Sequence, residues 1–93
     1  MDVVLVKLFT SPTCPYCPKA EEVVSRVARE EGIVAIKLPV NTDEGMREAL
    51  KFGIRAVPAV VINDVYIMLG VPDEFELRNL VRVLKGGEVG EAA

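Results

Sequence analysis

The 93-residue chain has two cysteines, Cys14 and Cys17, and both fall in the stretch F-T-S-P-T-C-P-Y-C-P-K-A at residues 9–20. Three kinds of chemistry are open to a pair so spaced: a structural bridge, half of a metal site, or a dithiol that opens and closes. Side chains three apart share one helix face, with Cα atoms about 5–6 Å apart, inside the range a disulfide accepts. The ring so formed is small and removes little chain entropy, so as a staple it contributes modest stability. The spacing favours a bond made to break and reform. Histidine is absent, which removes the commonest metal ligand and the usual base of a nucleophile–base pair. A structural zinc ion needs four ligands, and there is no second cysteine pair to supply them. Two thiolates alone hold monovalent copper, so a metal-binding or metallochaperone module is the competing class.

A helix beginning beside the cysteines makes the sulfurs unequal. With Cys14 at or near the N-cap, the free amides of Tyr16 and Cys17 point at its sulfur, and the helix dipole adds about half a positive charge. Both effects favour thiolate, so the Cys14 thiol is expected below its ordinary range. Cys17, inside the first turn and facing inward, is expected to stay protonated. Cys14 then attacks and Cys17 resolves. Pro15 suits a first helical turn, where its missing amide has no partner to lose. Pro18 is tolerated near the start, and Pro12 stiffens the approach. Tyr16 is expected to be partly exposed and available to a docking partner.

The elements that position this pair follow from periodicity. Residues 3–9 read as a buried central strand. From Pro15 the period becomes helical, with Tyr16, Ala20, Val23, Val24, Val27 and Ala28 on one stripe and Gly32 as the stop. Residues 33–40 form a second strand. Asn41, Thr42 or Asp43 caps a short helix with Met46, Ala49 and Leu50 as its apolar face, ended by Gly53. Residues 59–62 and 65–69 are strands joined by the turn Asn63-Asp64 as an antiparallel hairpin. Pro72 and Asp73 open a third helix, with Glu76 placed for a capping box and Leu77, Leu80, Val81 and Leu84 facing inward. Lys7 and Lys37 lie within predicted strands and are expected to reach solvent along their apolar stems. The order is β-α-β-α-β-β-α, an α/β fold with the cysteines at the carboxyl end of a strand, where open sheets place their chemistry. Soft-metal modules also put C-x-x-C before a helix, but they run β-α-β-β-α-β, which disfavours that class.

Length suits one domain, at residues 1–87, with a frayed tail at 88–93. A net charge of −3 argues against a nucleic-acid surface. No apolar run approaches the ~20 residues of a membrane helix, and the first residues lack the flank and length of a signal peptide. A cytoplasmic monomer is therefore expected. Glutamine and tryptophan are absent and the charged residues are mostly Glu, Arg and Lys, a bias that points to a thermophilic source.

The run F-T-S-P-T-C-P-Y-C-P, with A-V-P-A-V further on and a late G-V-P-D-E, resembles the thioredoxin/glutaredoxin family. It looks most like the small glutaredoxin-like thioredoxins of archaea. The resemblance implies a thioredoxin fold, a four-stranded mixed sheet with three helices, and dithiol–disulfide oxidoreductase activity through a redox-active Cys14–Cys17 disulfide, with no other cofactor. It makes Cys14 the nucleophile, Cys17 the resolving thiol and Pro58 a cis proline facing the pair. Pro15, Tyr16 and the backbone of Val57 would meet an extended substrate, and Gly70 would let a backbone approach closely. Partners would be disulfide-containing client proteins and a thioredoxin-reductase-type electron donor. A glutathione-dependent glutaredoxin is the alternative, but two features depart from it. Ser11-Pro12-Thr13 stands where a basic residue is typical, and Leu69-Gly70-Val71-Pro72-Asp73 carries one glycine where a pair is usual. Leu8 occupies the place of the buried aspartate of thioredoxins proper.

Overall fold

The computed structural model describes residues 3–86, so the expected tail and the end of the domain lie outside the described residues. The elements are β1 (Leu5–Thr10), α1 (Cys17–Glu31), β2 (Val34–Pro39), α2 (Asp43–Lys51), β3 (Ala59–Ile62), β4 (Tyr66–Leu69) and α3 (Glu74–Gly86). One sheet has the order β2-β1-β3-β4. β1 runs parallel to β2 and antiparallel to β3, and β4 is antiparallel to β3. This is the four-stranded mixed sheet with three helices that the sequence predicts.

β1 and β3 are central, so both of their faces are covered. Val6, Leu8, Val60 and Ile62 join Val23, Val24 and Val27 of α1 and Leu77 and Val81 of α3 in one core. Phe9, Ala59 and Val61 form a second core on the opposite face with Leu38, Ala49 and Ile54. Alternation along β1 sets this division, because successive side chains point to opposite faces. The edge strand β2 is exposed from Val34 to Lys37, despite its apolar composition.

Three expectations are corrected by packing. First, α1 opens at Cys17 rather than Pro15, with Tyr16 as its N-cap. Pro18 is the reason: a residue without an amide fits within the first turn, and it then sits second in the helix. Tyr16 consequently leaves the apolar stripe and is 67% exposed. Second, α2 buries Gly45 and Ala49, while Met46 and Leu50 are exposed. A Cβ on Gly45 would stand 1.9 Å from the Pro39 carbonyl oxygen, so the two small residues, one turn apart, let α2 sit directly on the end of β2. Thr42 caps the helix there, accepting from Gly45 N at 3.0 Å and donating to Pro39 O at 2.7 Å. Third, Lys7 does not run free to solvent. It is 9% exposed, its Nζ lies 2.9 Å from both Glu48 and Asp64, and it stands 5.2 Å from the centre of the Phe52 ring.

The hairpin turn is as read, with Asn63 and Asp64 at φ 53° and 60°, both left-handed as a type I′ turn requires. Ile62 pairs with Tyr66, however, so Val65 stays in the turn instead of opening β4. Asp73 accepts from Glu76 N at 3.1 Å, which builds one half of the expected capping box.

α1 and α3 are joined by an ionic lattice. Arg26 reaches Glu74, Arg78 bonds Glu30 at 2.7 Å and Glu74, and Glu31 receives Arg82 at 3.1 Å and Lys85 at 3.3 Å. The hydrogen bond from Arg78 holds the Glu74 carboxyl below its usual value of 4.5 against the cost of burial, and Arg26 adds to it. Burial pushes Glu31 up, but Arg82 and Lys85 together outweigh it and leave the carboxyl lowered. A carboxylate lowered in the folded chain stabilises above its unfolded pKa, and that contribution disappears as pH falls through the folded value. Melting temperature should therefore hold from neutral pH to about 5 and decline below the ordinary 4.5. In Arg78→Met the acid-induced decline should be visibly smaller, measured by circular dichroism melts across pH. An unchanged decline in that variant would remove the lattice from the account.

Candidate active site

Strand register gathers the site. Phe9 pairs with Ala59, and Ala59 pairs with Leu69, so the chain segments adjoining these residues, 10–17, 57–58 and 70, leave the sheet at the same end. Cys14 N donates to Ser11 O at 3.1 Å, which closes a turn over Pro12 and Thr13 and brings the chain round to α1. There Cys14 and Cys17 form a disulfide with Cα atoms 5.5 Å apart. The cap of α1 is Tyr16, not Cys14, and it makes no side-chain capping bond. Ala20 N donates to Tyr16 O at 3.1 Å, whereas Pro18 has no amide to offer. The positive end of the helix dipole thus lies beside the ring, at Cys17, rather than centred on Cys14 as the sequence suggested.

Burial separates the two cysteines. Cys17 is 2% exposed, while Cys14 is half-buried and flanked by exposed Pro15 and Tyr16. Val57, half-buried, precedes buried Pro58, and the peptide bond between them is cis. Pro58 O accepts from Gly70 N at 2.9 Å, tying the end of β4 to the proline loop. Gly70 has φ 81° and open space where a Cβ would stand. Its left-handed backbone is what calls for glycine there. No cluster of three or more His, Cys, Asp or Glu residues that could hold a metal occurs among the described residues.

Arg55, which the sequence reading passed over, and Ser11, read there only as part of a departure from glutaredoxins, come to the same end of the sheet. Ser11 and Arg55 line a groove with Val57. The available signal was their spacing, three residues before Cys14 and three before Pro58, but it becomes informative only once the strands are aligned.

A reactive cysteine pair at the junction of a central strand and a helix, in a sheet of this topology, defines a thioredoxin-fold dithiol–disulfide oxidoreductase. The family described as "Thioredoxin domain" matches residues 4–82. A protein of Archaeoglobus fulgidus named "Probable Thioredoxin" is 77% identical over 86 residues, covering 92% of this chain and 94% of that protein. One of the same name from Methanothermobacter thermautotrophicus is 44% identical over 77 residues, covering 81% of this chain and 88% of that protein. Among solved structures, a mutant thioredoxin from Halobacterium salinarum superposes with a TM-score of 0.77 at 29% identity, over 89% of this chain and 75% of that one. The chain belongs to the thioredoxin family. It is a thiol–disulfide oxidoreductase whose redox pair is Cys14 and Cys17, and its family acts on disulfide-bearing clients. No helix among the described residues is long and apolar enough to cross a membrane.

Proposed function

We propose that Cys14 is the attacking sulfur, Cys17 the resolving one, and a thioredoxin-reductase-type enzyme the electron donor. The reading rests on unequal burial: Cys14 sits at the rim, while Cys17 is 2% exposed. The Cys14 thiolate attacks one sulfur of a client disulfide, breaking that bond and releasing the other sulfur as a thiolate. A mixed disulfide joins Cys14 to the client. Cys17 then gives up its proton and attacks Cys14, which forms the Cys14–Cys17 bond and expels the second client sulfur. Two electrons pass to the client, and the proton of Cys17 with one from water completes its two thiols. The reductase returns two electrons to the ring. Burial keeps Cys17 neutral until it is needed, since charge is costly away from water.

Glutathione is not favoured as reductant. Asp73 and Glu74, the acidic residues that a glutathione cradle would use, are occupied: Asp73 caps α3 and Glu74 is bound by Arg26 and Arg78. In this reading the protein works as a monomer in the cytoplasm, where its clients' disulfides are opened.

Two measurements test the proposal. Ultraviolet titration of the reduced protein should find two separate ionisations, rim-exposed Cys14 first and Cys17, held neutral by burial, above the ordinary thiol range of about 8.5. Joint ionisation near that value would overturn the assignment. The oxidised protein should be reduced readily by a thioredoxin reductase with its nicotinamide donor and slowly by glutathione. Rapid, saturable reduction by glutathione would overturn the choice of donor.

A further inference from the structure

The two buried polar side chains among the described residues, Lys7 and Thr10, both lie on β1. Alternation sends them to opposite faces of the sheet. Lys7 shares its face with Phe9 and the second core, below α2. Val6 and Leu8 point towards α1, and Thr10, the last residue of the strand, continues their row. α1 opens at that same end of the sheet with Cys17, which is buried. The Thr10 hydroxyl and the Cys17 sulfur therefore face one space, between the carboxyl end of β1 and the first turn of α1. Lys7 is satisfied by Glu48 and Asp64, whereas the Thr10 hydroxyl makes no hydrogen bond among the described residues. No polar side-chain atom there is at once sealed from solvent and without a partner, so this hydroxyl, on a residue 5% exposed, keeps a narrow opening to water. Backbone pairing fixes it in place: Thr10 is aligned with Pro39, and its carbonyl accepts from Val40 N at 2.8 Å. A hydroxyl held in a core without a partner is destabilising, and the reduced cysteine pair would supply one. The ionisable groups around Cys17 are otherwise engaged or turned outwards. Glu21, one turn further along α1, lies 3.5 Å from Lys37, and Glu74 of α3 is held by Arg26 and Arg78. Tyr16 and Lys19 are exposed.

We propose that Thr10 assists the resolving step: its hydroxyl hydrogen-bonds the Cys17 sulfur in the reduced protein and steadies the thiolate that attacks Cys14. The assignment rests on the oxidoreductase reading, with Cys17 as the resolving sulfur, and deepens it by naming the group that lets a buried thiol ionise. A hydroxyl can accept and donate in turn, because its hydrogen rotates to suit. At rest it accepts from the Cys17 thiol. When that proton passes to water through the opening, the hydroxyl turns and donates to the sulfur anion. The anion bonds to Cys14, the bond from Cys14 to the client breaks, and the client leaves as a thiolate that takes up a proton from water.

The test mixes the full chain in its reduced form with one equivalent of dithiobis(nitrobenzoate), each half of which turns yellow when released as its thiolate. Stopped-flow absorbance then separates the two steps. Attack by Cys14 releases the first half, and resolution by Cys17 releases the second. Thr10→Val keeps the shape of the side chain and removes the hydroxyl. Its first phase should be unchanged, while its second should slow about tenfold and the pH midpoint of that phase should rise by about one unit. Thr10→Ser should recover most of the lost rate. A second phase at the parental rate in Thr10→Val would overturn the assignment, and so would equal slowing of both phases or no recovery in Thr10→Ser. A second phase slowed in Glu21→Gln but not in Thr10→Val would overturn it in favour of Glu21. Release of both halves by Cys17→Ser would instead defeat the division of roles on which the assignment rests. Circular dichroism checks that each variant is folded, and Thr10→Ala carries the comparison if Thr10→Val is not.

Discussion

Cys14→Ser should bring disulfide reduction down to the background rate of the added thiol, a loss on the order of 10³-fold or more. A serine hydroxyl is not ionised near neutral pH and cannot attack a disulfide at a useful rate, and buried Cys17 cannot replace it at the rim. Cys17→Ser should behave differently. Its Cys14 still attacks, but nothing inside the molecule displaces the client, so the mixed disulfide accumulates and turnover stops. Insulin reduction in the presence of dithiothreitol measures the first effect, and non-reducing electrophoresis or intact mass measures the second. Equal, partial losses in the two variants would contradict the division of roles.

The second large effect concerns Gly45. On helix propensity alone, Gly45→Ala should stabilise α2 by about 1 kcal/mol. The structure reverses the sign. The new methyl would meet the Pro39 carbonyl oxygen at 1.9 Å, and that atom belongs to the backbone at the end of β2, so it cannot swing aside. α2 must lift from the sheet and loosen the packing of Ala49 against Phe9 and Leu38. A net loss of about 2–3 kcal/mol is expected, or about 10–20 °C in melting temperature. A melting temperature at or above that of the parent protein would show that α2 does not rest on Pro39.

Gly45 also marks the limit of what could be read from the chain. Periodicity reports which residues share a face, and it placed Ala20, Val23, Val24 and Val27 in the core correctly. It does not report how closely a helix approaches its neighbour. Met46, Ala49 and Leu50 therefore looked like the inner face of α2, and of these Ala49 alone is buried, with Gly45 beside it in place of the two larger residues. The same blindness to tertiary partners affected Lys7, since Glu48 and Asp64 are far from it in sequence. The start of α1 was missed for a local reason, the constraint that Pro18 places on the first turn. The candidate site was more legible, because both cysteines lie within four consecutive residues and Val57 and Pro58 are adjacent. Arg55 stayed hidden, since only strand alignment brings its loop to the cysteines.

One consequence of the α1–α3 lattice reaches the chemistry. The charged contacts of α1 run from Glu21, which meets Lys37 at 3.5 Å, to Glu31 at its far end. Residues 14–20 carry none among the described contacts. The helix is moored by charge at its stern and by packing at the bow, where Cys17 and Ala20 are buried beside the sulfurs. Rotation about a few bonds at the bow can part and rejoin them without disturbing the moorings. Because dehydrating charges costs less as temperature rises, that anchorage slackens least in heat, and the scaffold outlasts many cycles of its own reactive tip.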